Sequence, residues 1–124
     1  MAETQYIVGD VVEQPKVLTR EAILAADDCK TEWVDVPAWG GQIKVRGLTV
    51  REIDSIMKMA THKGTVDTAK SAILMLIRAT VEPKFTDMDM DDLKNKSAVV
   101  LQIVKKINHL SGIGDDALEQ AEKN

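Results

Sequence analysis

The sequence predicts an α+β fold, mainly α, with four to five helices packed with a β-hairpin in the N-terminal half. Three observations predict it. Apolar residues recur at helical spacing from Val50 onward, a glycine pair at Gly40-Gly41 divides two alternating segments, and capping residues stand ahead of the helical stretches. At 124 residues the chain is one domain's length. It divides into an arm over 1–17, a folded domain over 18–112 and a polar tail over 113–124.

The arm contains Gly9 and Pro15 between short apolar patches, Tyr6 to Val8 and Val11-Val12, and has some strand character. Thr19 then caps a helix over 20–27, with Leu18 and Ile23 spaced as a hydrophobic staple. Asp27-Asp28 are placed unfavourably at its C-terminal end and stop it. A hairpin follows from Glu32 to Leu48. Its turn at Gly40-Gly41 suits the positive backbone angles of a two-residue type I′ loop. That turn pairs Val36 with Val45, Ala38 with Ile43 and Asp35 with Arg46. One face is then Val34, Val36, Ala38, Ile43 and Val45, and the other carries Trp33, the Asp35–Arg46 pair, Lys44 and Trp39. A two-stranded ribbon is marginal alone, so its apolar face must lie on helices or on added strands.

Thr49 and Glu52 form a capping box, with Leu48 and Ile53 as its staple. The helix runs to about His62 with Ile53, Ile56, Met57 and Ala60 on one stripe, and Gly64 ends it. Thr65 caps the next helix, 66–81, whose stripe is Ala69, Ala72, Ile73, Leu76, Ile77 and Thr80. Leu74, Met75, Ala79 and Val81 widen that stripe to nearly the full circumference. Such a helix belongs at the centre of a fold or in a subunit interface. Pro83 stops it. Thr86 with Asp89 opens a short acidic helix. Ser97 starts the last long one, with Val100, Ile103, Val104, Ile107 and Leu110 inside and Gly112 as terminator.

Composition narrows the function. The net charge is −4 and Lys105-Lys106 is the longest basic run, which argues against a nucleic-acid partner and an anionic membrane. The longest apolar run, Ala72 to Ile77, is far short of a membrane span. A single cysteine, Cys29, allows no intramolecular disulfide and fits a reducing cytosol, and the N-terminus does not read as a secretory signal.

No constellation supports catalysis or a cofactor. The run Asp87-Met88-Asp89-Met90-Asp91-Asp92 opens like a calcium loop, but Asp92 and Ala98 stand where glycine and the bidentate glutamate are needed. Its carboxylates suit a helix N-terminus instead. His62 and His109 each fall at a predicted helix end, away from any nucleophile or second ligand. Cys29 has no activating base nearby in sequence. A helix-turn-helix over Leu48 to Ile77 would present Asp67 to phosphate, which disfavours it. The expected chemistry is binding, through exposed apolar and Met-rich surface. Trp39 has two readings, a lid folded over Lys44 or a helix end, and an exposed anchor for a partner. Met57 and Met59 point to opposite sides of one helix, so one of them is surplus to the core. The partner-binding candidates are Trp33, Trp39, Arg46, Met57 and Met59.

Two groups of residues resemble a known family. The segment Leu18-Thr19-Arg20-Glu21-Ala22-Ile23-Leu24-Ala25-Ala26-Asp27-Asp28 and the hairpin Val34-Asp35-Val36-Pro37-Ala38-Trp39-Gly40-Gly41, followed by Lys44-Val45-Arg46-Gly47-Leu48-Thr49 and Glu52, resemble the tail assembly chaperones of long-tailed bacteriophages. Phe85-Thr86 before the acidic helix and Leu110-Ser111-Gly112 after the last one are similar too, so the likeness runs from Leu18 to Gly112. The chain departs from the pattern at Ala38, where glutamate is common, and in its longer arm. The resemblance implies a protein of the host cell cytoplasm, absent from the mature virion. It implies binding to the tape measure protein and help for tail tube protein polymerisation, and against so long and repetitive a client a homo-oligomer is expected, because several copies in line gain avidity. It also implies a programmed frameshift: Glu122-Lys123-Asn124 could be encoded as GAA AAA AAC, which would make this the short form of a pair, or Lys-Asn is merely a polar terminus. The alternative function is a structural tail completion or connector protein of the virion.

Overall fold

The centre of the molecule is the most apolar helix. From Ser71 to Ile77 every side chain is buried, because residues on all sides of this helix meet another element. The computed structural model describes residues 6–8, 11–13 and 15–113. Its order is β1 (Tyr6–Val8), β2 (Val11–Glu13), α1 (Arg20–Ala25), β3 (Thr31–Val36), a 3₁₀ turn (Pro37–Trp39), β4 (Gly41–Arg46) and α2 (Val50–Ala60). There follow β5 (Thr61–His62), β6 (Thr65–Val66), α3 (Thr68–Ala79), β7 (Thr80–Glu82), a 3₁₀ turn (Asp87–Asp89), α4 (Met90–Lys94) and α5 (Val99–Leu110). The fold is α+β, mainly α, with five helices among the described residues. The arm contributes β1 paired antiparallel with β2. Residues 114–124, including Glu122, Lys123 and Asn124, lie outside the described residues.

α3 packs on α2, α4 and α5, and α5 also touches β3 and β4. Val36, Ile43 and Val45 of the hairpin join Leu48, Ile56 and Leu93 and the inner faces of α3 and α5 in one core. The capping box at α2 forms as its sequence predicts: Glu52 N–H donates to Thr49 Oγ1 at 3.1 Å, and Thr49 N–H to Glu52 Oε1 at 2.9 Å. Thr86 and Asp89 form a second box, though the segment it opens splits into a 3₁₀ turn and α4. In α5, Val100, Ile103, Val104 and Ile107 are buried and Leu110 is partly so. Gly112 ends the helix with φ +84°.

The hairpin register differs from expectation. Val36 faces Gly41, Val34 faces Ile43, and Asp35 faces Gln42, so neither the Val36–Val45 nor the Asp35–Arg46 pairing exists. Pro37 is the cause. It cannot donate to the ladder, its fixed φ suits a helical turn, and it opens the 3₁₀ segment that Gly40 closes at φ +79°. The loop is therefore residues 37–40, and Ala38 sits exposed in it. The slip moves pairing by an even number of positions, so Val34, Val36, Ile43 and Val45 keep one face. The added strand that the ribbon requires is β7, which pairs with β4. Thr80 and Val81 thus belong to a strand, where periodicity predicts the last two residues of a helix over 66–81.

Other boundaries shift for local reasons. α1 ends at Ala25 and none of its residues is buried; Leu18 and Ile23 are both exposed, so the expected staple covers nothing. α2 stops at Ala60 rather than His62, because Thr61–His62 pairs with Thr65–Val66 around Lys63-Gly64. Both of these turn residues have positive φ, the type I′ geometry expected at Gly40-Gly41. α3 starts at Thr68 and is capped by Asp67, not Thr65, through Lys70 N–H at 3.0 Å. Ala69 is exposed. Ala98, which offers no side-chain bond, holds the cap position of α5, one residue beyond Ser97.

Candidate partner-binding surface

Alternation along β3 sends Val34 and Val36 inward and Trp33 outward, where 51% of its surface remains exposed. Lys44 stands directly across the ladder, with Nζ 5.7 Å from the Trp33 ring centroid. A cation over an exposed ring contributes about 0.5–1 kcal/mol, enough to orient the indole without covering it. Lys44 thus sits over Trp33, not Trp39. Trp39 lies in the 3₁₀ turn of the same hairpin, 36% exposed. Of the two methionines of α2, Met57 is half-buried and Met59 exposed.

Arg46 is held internally. Its guanidinium grips Glu52 with both nitrogens, Nη1 to Oε1 at 2.9 Å and Nη2 to Oε2 at 2.6 Å. It also donates to the carbonyls of Gly47 at 3.0 Å and Arg78 at 3.2 Å. One side chain thereby ties β4 to the start of α2 and the end of α3. The Arg46 hydrogen bonds pull the Glu52 carboxyl from its ordinary 4.5 to about 2, against an opposing push from burial, with the Thr49 amide helping. The same partner raises Arg46. Because the folded value lies below the unfolded one, the contribution is complete above the ordinary carboxylate range and is lost as pH falls through it toward 2. Urea titrations between pH 6 and pH 2.5 should show a loss of about 2 kcal/mol that Glu52→Gln removes. An unchanged acid limb in that variant would refute the assignment. A second pair, Arg78 Nη1 to Asp87 Oδ1 at 2.6 Å, likewise lowers the Asp87 carboxyl.

Two sequence segments 63 residues apart meet at a joint beside this pair. Leu48 N–H donates to Ser111 Oγ at 2.8 Å, and that hydroxyl donates to the Ile107 carbonyl at 2.7 Å. A Cβ on Gly47 would stand 2.6 Å from the Leu110 carbonyl oxygen, so the backbones touch only because this residue is glycine. Asp28, Cys29, Thr49 and Ser111 line a hollow of about 200 Å³ here. A glycine between a strand and a helix cap was the available signal for this contact.

Sequence reading also missed an apolar groove of about 250 Å³ between α3 and the α4–α5 corner, floored by Ala72, Ile73, Leu93 and Val100 and edged by Leu101. Small residues at Ala69 and Ala98 leave it open. Lys94 and Lys96 stand on its rim. His62 and His109 are exposed and belong to different elements. Among the described residues, no three His, Cys, Asp or Glu side chains are grouped to hold a metal ion. No helix among them is long and apolar enough to cross a membrane. No family model, curated protein or solved structure matches the chain.

Proposed function

We propose that this protein is a phage tail assembly chaperone that binds the tape measure protein, keeps it soluble and promotes tail tube polymerisation. The observation that carries the reading is the placement of both tryptophans on one hairpin, each with a third or more of its surface in solvent. Indoles bring a large apolar area and one hydrogen-bond donor to a contact, which is why they recur at binding hot spots. Exposed Met59 adds an unbranched side chain that adapts to irregular partners, a useful property against a long client with many similar helical segments. The resemblance of the Val34–Gly41 hairpin to that family supplies the client's identity.

Calorimetry with a tape measure fragment tests the proposal. Trp39→Ala should weaken binding about tenfold while leaving stability within about 1 kcal/mol of the parent. Unchanged affinity, or an unfolded variant that shows Trp39 to be a lid on the core, overturns it. Mass spectrometry of purified particles separates the alternative, since a connector protein would be found in them.

A further inference from the structure

The three-stranded sheet has two edges, β7 and β3, and they differ. β7 is three residues long and runs into Pro83, which has no N–H to offer a further strand. β3 is six residues long, with no proline or lysine within it to turn a strand away. Its backbone is only half used. Gly47 N–H donates to the Lys30 carbonyl at 2.9 Å, at the end of an unbroken register in which Thr31 faces Arg46 and Val36 faces Gly41. Bonded and non-bonded pairs alternate along an antiparallel ladder. Glu32, Val34 and Val36 therefore bond across to β4, while the N–H and C=O groups of Thr31, Trp33 and Asp35 point away from it. No hydrogen bond among the described residues uses those outward groups.

The side chains beside that edge set what fits it. Thr31, Trp33 and Asp35 are all exposed, on the face of the sheet away from the core. A strand laid along the edge would bring its own alternate side chains next to these three. Trp33 offers an apolar neighbour 51% of its surface. Asp35 faces Gln42 and has no ion-pair partner among the described residues, so it calls for a cation.

The chain's own strands do not supply one. β3 reads Thr-Glu-Trp-Val-Asp-Val, and β1 and β2 read Tyr-Ile-Val and Val-Val-Glu. None of them contains a lysine or arginine, so neither a second β3 nor a strand of the arm complements the charge of this edge.

We propose that the open edge of β3 receives an extended segment of another protein, which adds a fourth strand and sets an apolar side chain against Trp33 and a lysine or arginine against Asp35. Main-chain bonds to the edge supply affinity that tolerates varied sequence, and the alternate side chains supply selection. The inference rests on the hairpin being the client surface, and adds to that reading the conformation and charge of the segment received.

Two end-blocked peptides test it by NMR titration of the isotope-labelled full chain: Lys-Thr-Val-Thr-Lys-Thr-Val-Thr-Lys, and its counterpart with Glu in place of each Lys. The Lys peptide should bind about tenfold more tightly than the Glu peptide. It should also slow amide exchange at Thr31, Trp33 and Asp35, which exchange freely in the protein alone. Asp35→Lys should abolish the preference, whereas Asp91→Lys, the same change of charge on α4, should keep it. Thr31→Pro removes one edge donor and no ladder bond, and should weaken binding about fivefold. If that variant does not fold, the exchange pattern of the parent decides. Failure of the Lys peptide to bind, a preference that survives Asp35→Lys, or binding that leaves the three amides unprotected overturns the proposal. So do amides already protected before peptide is added, the result a second copy on the edge would give. No tape measure fragment is used, so an edge that takes no peptide and a Trp39→Ala variant that keeps its client are separate results.

Discussion

Replacing Gly47 by alanine is expected to destabilise the domain by about 3 kcal/mol, the upper end for forcing an added methyl into a packed site. The reason lies in what the methyl meets. Leu110 O would be 2.6 Å away, Leu110 C 3.0 Å and Ser111 Cα 3.3 Å, all backbone atoms that no rotamer change can move aside. Relief requires α5 to withdraw from the strand–helix junction, which also breaks the Leu48 N–H bond to Ser111 Oγ. Gly41→Ala is the control, since a Cβ there meets nothing within 4 Å and the residue has no positive φ. It should change stability by less than about 0.5 kcal/mol. Urea unfolding of the two variants makes the comparison. Equal midpoints would mean that β4 and the end of α5 are farther apart than described.

Arg46→Ala should cost a similar amount, about 3 kcal/mol, by a different route. The substitution removes two charge-assisted bonds to Glu52 and leaves the carbonyls of Gly47 and Arg78 without this donor. Lysine should rescue little, because one ammonium cannot reproduce a two-pronged grip while also reaching two carbonyls. A double-mutant cycle with Glu52→Gln should return a coupling of about 1–2 kcal/mol. Arg46→Ala should also let the Glu52 carboxyl titrate higher, so that the loss of stability in acid becomes smaller than in the parent. Additive effects in the cycle would show that the two side chains act independently.

How much of this was legible in the sequence depended on how many competing signals each segment carried. The burial of α3 was legible because Ala72 to Ile77 is apolar on every side and has nowhere else to go. The α2 cap was legible because Thr49 and Glu52 satisfy each other locally, independent of the rest of the chain. The outward face of Trp33 survived a wrong register because faces depend only on parity. The register itself was lost to Pro37, whose missing N–H outweighed a glycine pair that fits several turn types. β7 was hidden because three residues are too few to show alternation. Arg46 was paired in prospect with Asp35 across the ladder, whereas its partner Glu52 arrives from the next helix, and only the three-dimensional path reveals that. The α3–α5 groove had no sequence signature beyond two alanines.

α3 passes into β7 without a connecting residue, and Thr80 at the crossover bonds back to the Leu76 carbonyl at 2.7 Å. β7 is in turn paired with β4, the strand that carries Lys44. The sheet edge therefore has no slack relative to the buried helix, and the hairpin cannot swing without unwinding the last turn of α3. A partner reaching the two indoles meets a pre-organised platform whose backbone ordering was completed when the protein folded, so association there gives up little further freedom.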